Sequence, residues 1–305
     1  MTKIDKERLI DIARDLSQKY RLYNVEETTE LLKSAIRLNI GVSYKKSGRR
    51  KVIELMEEEL MEFFEAQVLP NTILLDFNDK DVVELMLFSI EFAFSMFEGK
   101  TRATKSQKGF RERTRDMETI VVNSFVGSIG EVAVKKFLKE RFNKEIELDR
   151  SISRDINRYR SDILNSKEPV SIKTSPNLSA IYSECPLGYS VGVFVKVSVQ
   201  RAVLMSLFAH VCGFRNLLNF SREILGSSTL VDRLSERIYA KECGSMNSTI
   251  KCYICGYMET ERLKHVEKGE RLPYFGEVRE PRYILPLREL KSSTEDWKLF
   301  CNKYL

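Results

Sequence analysis

The chain has 305 residues, 43% of them hydrophobic and 31% charged, with a formal net charge of +6 and a pI of about 8.9. That is enough apolar material for two domains or one larger core, and only 14 Gly and 7 Pro argue against long unstructured tails. The balance excludes a disulfide-framed miniprotein and favours an anionic partner without naming one.

No basic-apolar-small cleavage pattern opens the sequence, so a prokaryotic-type cytoplasm is expected. The cysteines, spread from Cys185 to Cys301, are then read as reduced thiols. Val82 to Phe97 is the most apolar stretch. It contains Glu84 and Glu91 and is short for a bilayer, so it is expected as a buried helix and no membrane partner is expected.

In chain order, the first hundred residues read almost entirely as helix. Leu9, Ile10, Ile12, Ala13 and Leu16 mark one amphipathic segment, followed by Val25–Leu38, Val52–Gln67 and Asp79–Phe97. Lys45, Lys46, Arg49, Arg50 and Lys51 form a basic knot. A longer basic run, including Lys105, Lys108 and Arg111, occupies 99–115 and reads as a linker or an arm facing nucleic acid. Arg150, Arg154, Arg158 and Arg160 form a third cluster. Solvated surface is the alternative for any one of them; three together point to a polyanion.

Beyond residue 115 the pattern changes. A helix is expected from Ser128 to Phe142, then short strands at Ile146–Leu148, Asp162–Leu164 and Val170–Thr174. Tyr189–Val199 reads as a longer strand with valines at alternate positions. Helices at about 200–222 and 229–240 precede a strand at Thr249–Tyr257, a short helix at Thr260–Val266 and a strand at Arg282–Pro286. The expected fold is α/β (α+β), with a helical lobe over 1–115 and a second domain over 116–305 built on a central mixed sheet flanked by helices.

The chemistry concentrates in 161–173. Asp162 and Lys173 lie on two short strands joined by a polar turn containing Pro169. Val170 and Ile172 anchor the second strand, leaving Ser171 and Lys173 on its other face. A hairpin would bring Asp162, a ligand for a divalent cation, beside Lys173, which favours hydroxide over water; phosphodiester hydrolysis needs that pair. Taken singly, Asp162 reads as a turn aspartate, Lys173 as an edge-strand lysine and Glu184 as a surface acid. Ser128-x-x-Glu131 reads as a capping box.

At these residues the sequence resembles the PD-(D/E)XK nuclease superfamily, which includes most type II restriction endonucleases. Asp162 stands at the first acid of the pattern and Lys173 at its lysine. Gly127-Ser128-Ile129-Gly130-Glu131 resembles the family's Gly-Glu helix, and the resemblance covers about 118–290. Ser171 departs from the pattern, standing where the second acid belongs. In one restriction-enzyme branch a serine sits there and a later glutamate supplies the carboxylate, so Glu184 and Glu131 are the two replacements.

The resemblance implies a restriction-endonuclease-like core and a Mg²⁺-dependent, sequence-specific endonuclease acting on double-stranded DNA. Asp162, Glu131 and Glu184 would hold the metal, and Lys173 and Ser171 would complete the catalytic set. Thr174, Ser175 and Asn177, with Arg154, Arg158, Arg160, Lys105, Lys108 and Arg111, would contact DNA. A homodimer is implied, and the N-terminal lobe would clamp DNA or mediate dimerisation. The alternatives are a structure-specific repair or recombination nuclease, and a non-catalytic DNA-binding protein on a degenerate nuclease fold.

Three further signals weigh less. Cys252-x-x-Cys255, with Cys243 and His265, offers half of a zinc signature, while the same strand content suits cysteine as a small core residue. His210 sits in an apolar helical pattern. No Walker-type loop is present, so no nucleotide cofactor is expected.

Overall fold

In the computed structural model, Asp5 opens helix α1 (Lys6–Tyr20) by accepting the Arg8 N–H at 3.2 Å. Helix α2 (Val25–Arg37) starts on a reciprocal capping box between Asn24 and Glu27. The structure describes residues 5–47, 50–76, 79–97, 116–152, 161–199, 204, 214–226, 228–233, 236 and 249–305.

The next segment departs from the helix expected at Val52–Gln67. Strands β1 (Val42–Ser47) and β2 (Arg50–Leu55) form an antiparallel hairpin. Only then does α3 (Glu57–Phe63) begin, widening into a π-helical turn over Phe64–Val68. The β-branched Val42, Val52 and Ile53 favour extended backbone. Glu57, Glu58 and Glu59 favour a helix start at its positive end. The backbone of the basic knot thus lies on this hairpin; the side chains of 45–47 and 50–52, and residues 48–49, lie outside the described residues.

Strand β3 (Thr72–Asp76) and helix α4 (Lys80–Phe97) follow, the latter as expected. Helix α5 runs from Met117 to Phe142, capped by Asp116 and ended by Asn143 at φ 51°. Its start lies well before the expected Ser128, because Ile120, Val121 and Phe125 are buried and carry the helix through Gly127. Ser128 is therefore inside the helix, and the Ser128–Glu131 capping box does not form. Helix α5 is the one described helix long and apolar enough to cross a bilayer, and half of its apolar window is buried within the protein.

The central sheet has the order β3-β7-β6-β4, built from β4 (Val170–Ser175), β6 (Val191–Ser198) and β7 (Thr249–Glu259) beside β3. β4 and β6 are parallel; the other pairs are antiparallel. It is a mixed sheet between two helical layers. On one face, Val191, Val193, Val195 and Val197 of β6 meet α4, α5 and a C-terminal helix α7 (Thr294–Tyr304). On the other, Phe194, Tyr253 and Cys255 meet α1, α2 and α3. Both faces of β6 are thus buried. Because β3 pairs with β7, the sheet crosses the boundary expected at residue 115, and the N-terminal helices form one of its covering layers.

A smaller sheet, β5-β11-β8, flanks this core, from β5 (Tyr182–Pro186), β8 (His265–Val266) and β11 (Arg282–Pro286), with a two-stranded hairpin of β9 (Arg271–Leu272) and β10 (Gly276–Glu277) nearby in the chain. The helix expected at Thr260–Val266 is replaced by turns and β8. Of the helices expected at 200–222 and 229–240, α6 (Phe214–Leu225) and a helical stretch at 229–233 are described.

Candidate active site

The open edge of β4 carries the segment singled out in the sequence. Leu148 and Ile163 form an antiparallel bridge, so the strands expected at 146–148 and 162–164 shrink to a short ladder. That ladder is joined to β4 by the Asp162 N–H donating to Val170 C=O at 2.8 Å. Ser161 stitches the turn: its hydroxyl accepts the Val170 N–H at 3.0 Å and donates to Ile163 C=O at 2.7 Å.

The Asp162 carboxylate accepts the Ile172 N–H at 2.6 Å, one residue from Lys173. Burial raises its pKa, against the Lys173 ammonium, the Ile172 N–H and the Ser171 hydroxyl; the Asp149 charge adds to the rise. The hairpin therefore does bring Asp162 beside Lys173. Lys173 is half-buried, and among the described residues it makes no hydrogen bond or ion pair. Ser171 is fully buried. Its hydroxyl has no hydrogen-bond partner among the described residues, and a serine hydroxyl is a weak ligand for a hard cation.

Helix α5 delivers Glu131 to the same place. Gly130 packs on Thr174 so closely that a Cβ there would stand 2.2 Å from the Thr174 Oγ1. Glycine permits the close helix-strand approach, and Glu131, next along, faces the hairpin. Burial pushes the Glu131 carboxyl up to about 7, against the pull of the Arg150 guanidinium; the Asp162 charge adds to the rise. Arg150 forms an ion pair with Glu131 and stacks over Phe88 of α4 at 5.5 Å. Glu131, Asp162 and Lys173 thus form one electrostatic unit, contributed by a helix, a turn and an edge strand.

Glu184 does not join this unit. On β5 the side chains alternate, with Ser183 and Cys185 buried and Glu184 on the other side, in an ion pair with Arg282 of β11. Cys185, not Glu184, faces the core here; burial raises its thiol to about 12, and the Lys173 charge opposes the rise. Among the described residues no three acidic, His or Cys side chains form a ready cation cage. Thr174 was expected to contact DNA, but its hydroxyl is buried and turned toward Gly130. Ser175 and Asn177 build the turn after β4, where the Ser175 hydroxyl accepts the Asn177 N–H at 3.2 Å. Arg154, Arg158, Arg160, Lys105, Lys108 and Arg111 lie outside the described residues.

The zinc reading fails on strand geometry. Cys252 lies in the core on one face of the sheet and Cys255 in the core on the other, with Gly256 at φ 132° bulging the strand beside Lys291. Two ligands on opposite faces cannot share an ion. His265 is exposed and pairs with Glu267 at 2.7 Å, while Cys243 and His210 lie outside the described residues.

Two partners escaped sequence reading. Arg150 was grouped with the polyanion-binding arginines, yet it pairs with Glu131. Asp149 acts on Asp162 from the neighbouring strand of the ladder; an acid one residue past an apolar strand position was the available signal. Comparison of the chain with family models, curated proteins and solved structures gives no match.

Proposed function

We propose that this protein is a Mg²⁺-dependent endonuclease of double-stranded DNA, built on a restriction-endonuclease-like core, with Glu131, Asp162 and Lys173 as its catalytic set. The observation that carries the reading is the meeting of two half-buried carboxylates with raised pKa and a half-buried lysine at one sheet edge. Like-charged carboxylates in a desolvated place gain most from a cation.

The donor set fits Mg²⁺, which is held by one or two carboxylates and keeps waters for the remaining positions. Asp162 and Glu131 would hold it; Glu184, engaged by Arg282, would not. Bound there, the ion would polarise the scissile phosphate and offset the charge that develops on it. Asp162 is held in orientation by the Ile172 N–H. Lys173 places a positive charge beside it that favours hydroxide over water for in-line attack. Glu131 would turn from Arg150 to the ion, and the Arg150 guanidinium would then be available to a DNA phosphate. Two copies would cut the two strands of a symmetric site.

The Arg150–Glu131 ion pair favours a second reading, a DNA-binding protein that does not cleave, because the guanidinium already balances one carboxylate. Incubating wild type and Asp162→Asn with phage and plasmid DNA, in Mg²⁺ or EDTA, separates the two. Discrete Mg²⁺-dependent fragments, absent with the variant, are expected for a restriction nuclease. Cleavage confined to junctions or flaps would make it a structure-specific nuclease, and binding without cleavage of any DNA would establish the second reading.

A further inference from the structure

On the face of the sheet opposite α5, β6 buries a lysine. Lys196 is 1% exposed, aligned between Ser175 of β4 and Tyr253 of β7. Its ammonium donates to the Ser34 hydroxyl of α2 at 3.0 Å, and that hydroxyl donates onward to Leu31 C=O at 2.7 Å. Its charge also stands 5.9 Å from the centre of the Tyr253 ring. Among the described residues no carboxylate pairs with it, and Arg37 lies near enough to add repulsion. A fully buried lysine normally has an anionic partner, because desolvating an ammonium is costly.

Lys196 lines a cavity of about 430 Å³ between α2, the π-helical turn and the sheet. The volume suits a small organic ligand. Its apolar walls come from Leu38, Ile40, Phe63 and Leu290, and the π-helical turn contributes Ala66 and Gln67 to the mouth. A π-helical turn is an irregularity that recurs at functional sites. Glu59 and Glu62 also line the cavity and are exposed, and with Arg288 and Lys196 they leave it close to neutral overall, so a ligand with a single negative charge suits it better than one with several, such as a nucleotide.

We propose that this cavity binds a small organic monocarboxylate with an apolar body, its carboxylate paired with Lys196 and its body against the Leu38, Ile40 and Leu290 walls. Burial holds the lysine down at about 8, as expected of an amine without its counter-ion, and an anion at this position would bring it back up. The proposal rests on this cavity and its buried lysine and is independent of the nuclease reading.

Calorimetric titration of the full chain with octanoate, octanamide and pyrophosphate tests it, using wild type, Lys196→Met and Ala66→Trp. Lys196→Met keeps the length of the side chain without its charge, and Ala66→Trp fills the mouth from an exposed position, so the two do not share a folding risk. Octanoate is expected to bind wild type one to one and at least tenfold more tightly than octanamide, with no binding of pyrophosphate at this site. Lys196→Met should lose that preference and Ala66→Trp should lose the binding. Absence of octanoate binding, equal binding of octanoate and octanamide, tighter binding of pyrophosphate, or a preference retained in Lys196→Met would each overturn the proposal.

Discussion

Each face of the central sheet has a glutamate packed against it, Glu27 buried and Glu131 nearly so, and the two are held differently. Glu27, on the α2 side, receives the Asn24 N–H at 2.7 Å, the Lys251 ammonium at 2.6 Å and the Ser198 hydroxyl at 2.5 Å. Glu131, on α5, has the Arg150 guanidinium; burial first, and the Asp162 charge after it, raise its pKa to about 7. A carboxylate saturated with donors is a structural part; one crowded by a second carboxylate stores unfavourable charge that a cation relieves. Together with the Lys173 charge beside Asp162, that difference marks the β4 edge, where Glu131 and Asp162 meet, as the place where chemistry belongs.

The largest expected effect is on activity. Asp162→Asn and Lys173→Ala should each lower Mg²⁺-dependent DNA cleavage about 10³-fold, the scale of losing a positioned proton-transfer group, with the thermal midpoint nearly unchanged. Glu27→Ala should do the reverse. Removing one partner of a buried pair strands Lys251, so a loss of about 3 kcal/mol is expected in urea unfolding, with normal cleavage by the protein that remains folded.

Glu131 sharpens the comparison through pH. Its folded pKa lies above the unfolded value of 4.5, so the unfolded chain gives up this proton first. Stability from the protonated group is complete below about pH 4.5 and is lost as pH rises toward 7. Metal-free wild type should therefore weaken by about 2–3 kcal/mol across that window, and Glu131→Gln should flatten the slope. Denaturant unfolding at pH 4.5, 5.5 and 7.5 measures it; equal slopes would break the contrast with Glu27.

Gly130→Ala tests the contact that delivers Glu131. The added methyl meets Thr174, and the crowding outweighs the helix-propensity gain for a net loss of about 1–2 kcal/mol, accompanied by slower cleavage. The smallest effect is expected from Glu184→Gln. Its ion pair with Arg282 is partly solvated and contributes at most about 1 kcal/mol, and cleavage should stay within about twofold of wild type, well inside the tenfold that 1.4 kcal/mol represents. A large loss would return Glu184 to the metal site.

What sequence reading captured was local. Asp162 and Lys173 face each other across a short turn, so alternation and one proline sufficed to pair them. Helices α1, α2 and α4 follow the 3.6-residue period, and β11 was found with its full span. Charges dominate residues 42–55, so no local pattern signals strands there, and their pairing is a property of the hairpin as a whole. Strand β3 pairs with β7 far along the chain, which no local pattern reports. Helix α7 was missed although Ser293 and Asp296 form a capping box and Trp297, Phe300, Cys301 and Tyr304 recur at helical spacing. Within the site, the Arg150–Glu131 pair joins the end of one segment to the middle of a helix, and Glu184–Arg282 spans two strands distant in sequence. Ion pairs of that kind are fixed by the fold, and composition shows only that the charges exist.

The most direct test of the central claim is the single-turnover rate of plasmid cleavage by Lys173→Ala beside Glu27→Gln, each checked for folding by circular dichroism, with saturating Mg²⁺ and DNA of varied sequence. The account predicts that Lys173→Ala is folded and inactive, while Glu27→Gln is destabilised and, where folded, cuts at the wild-type rate. A folded Lys173→Ala protein that cleaves as fast as wild type would contradict it.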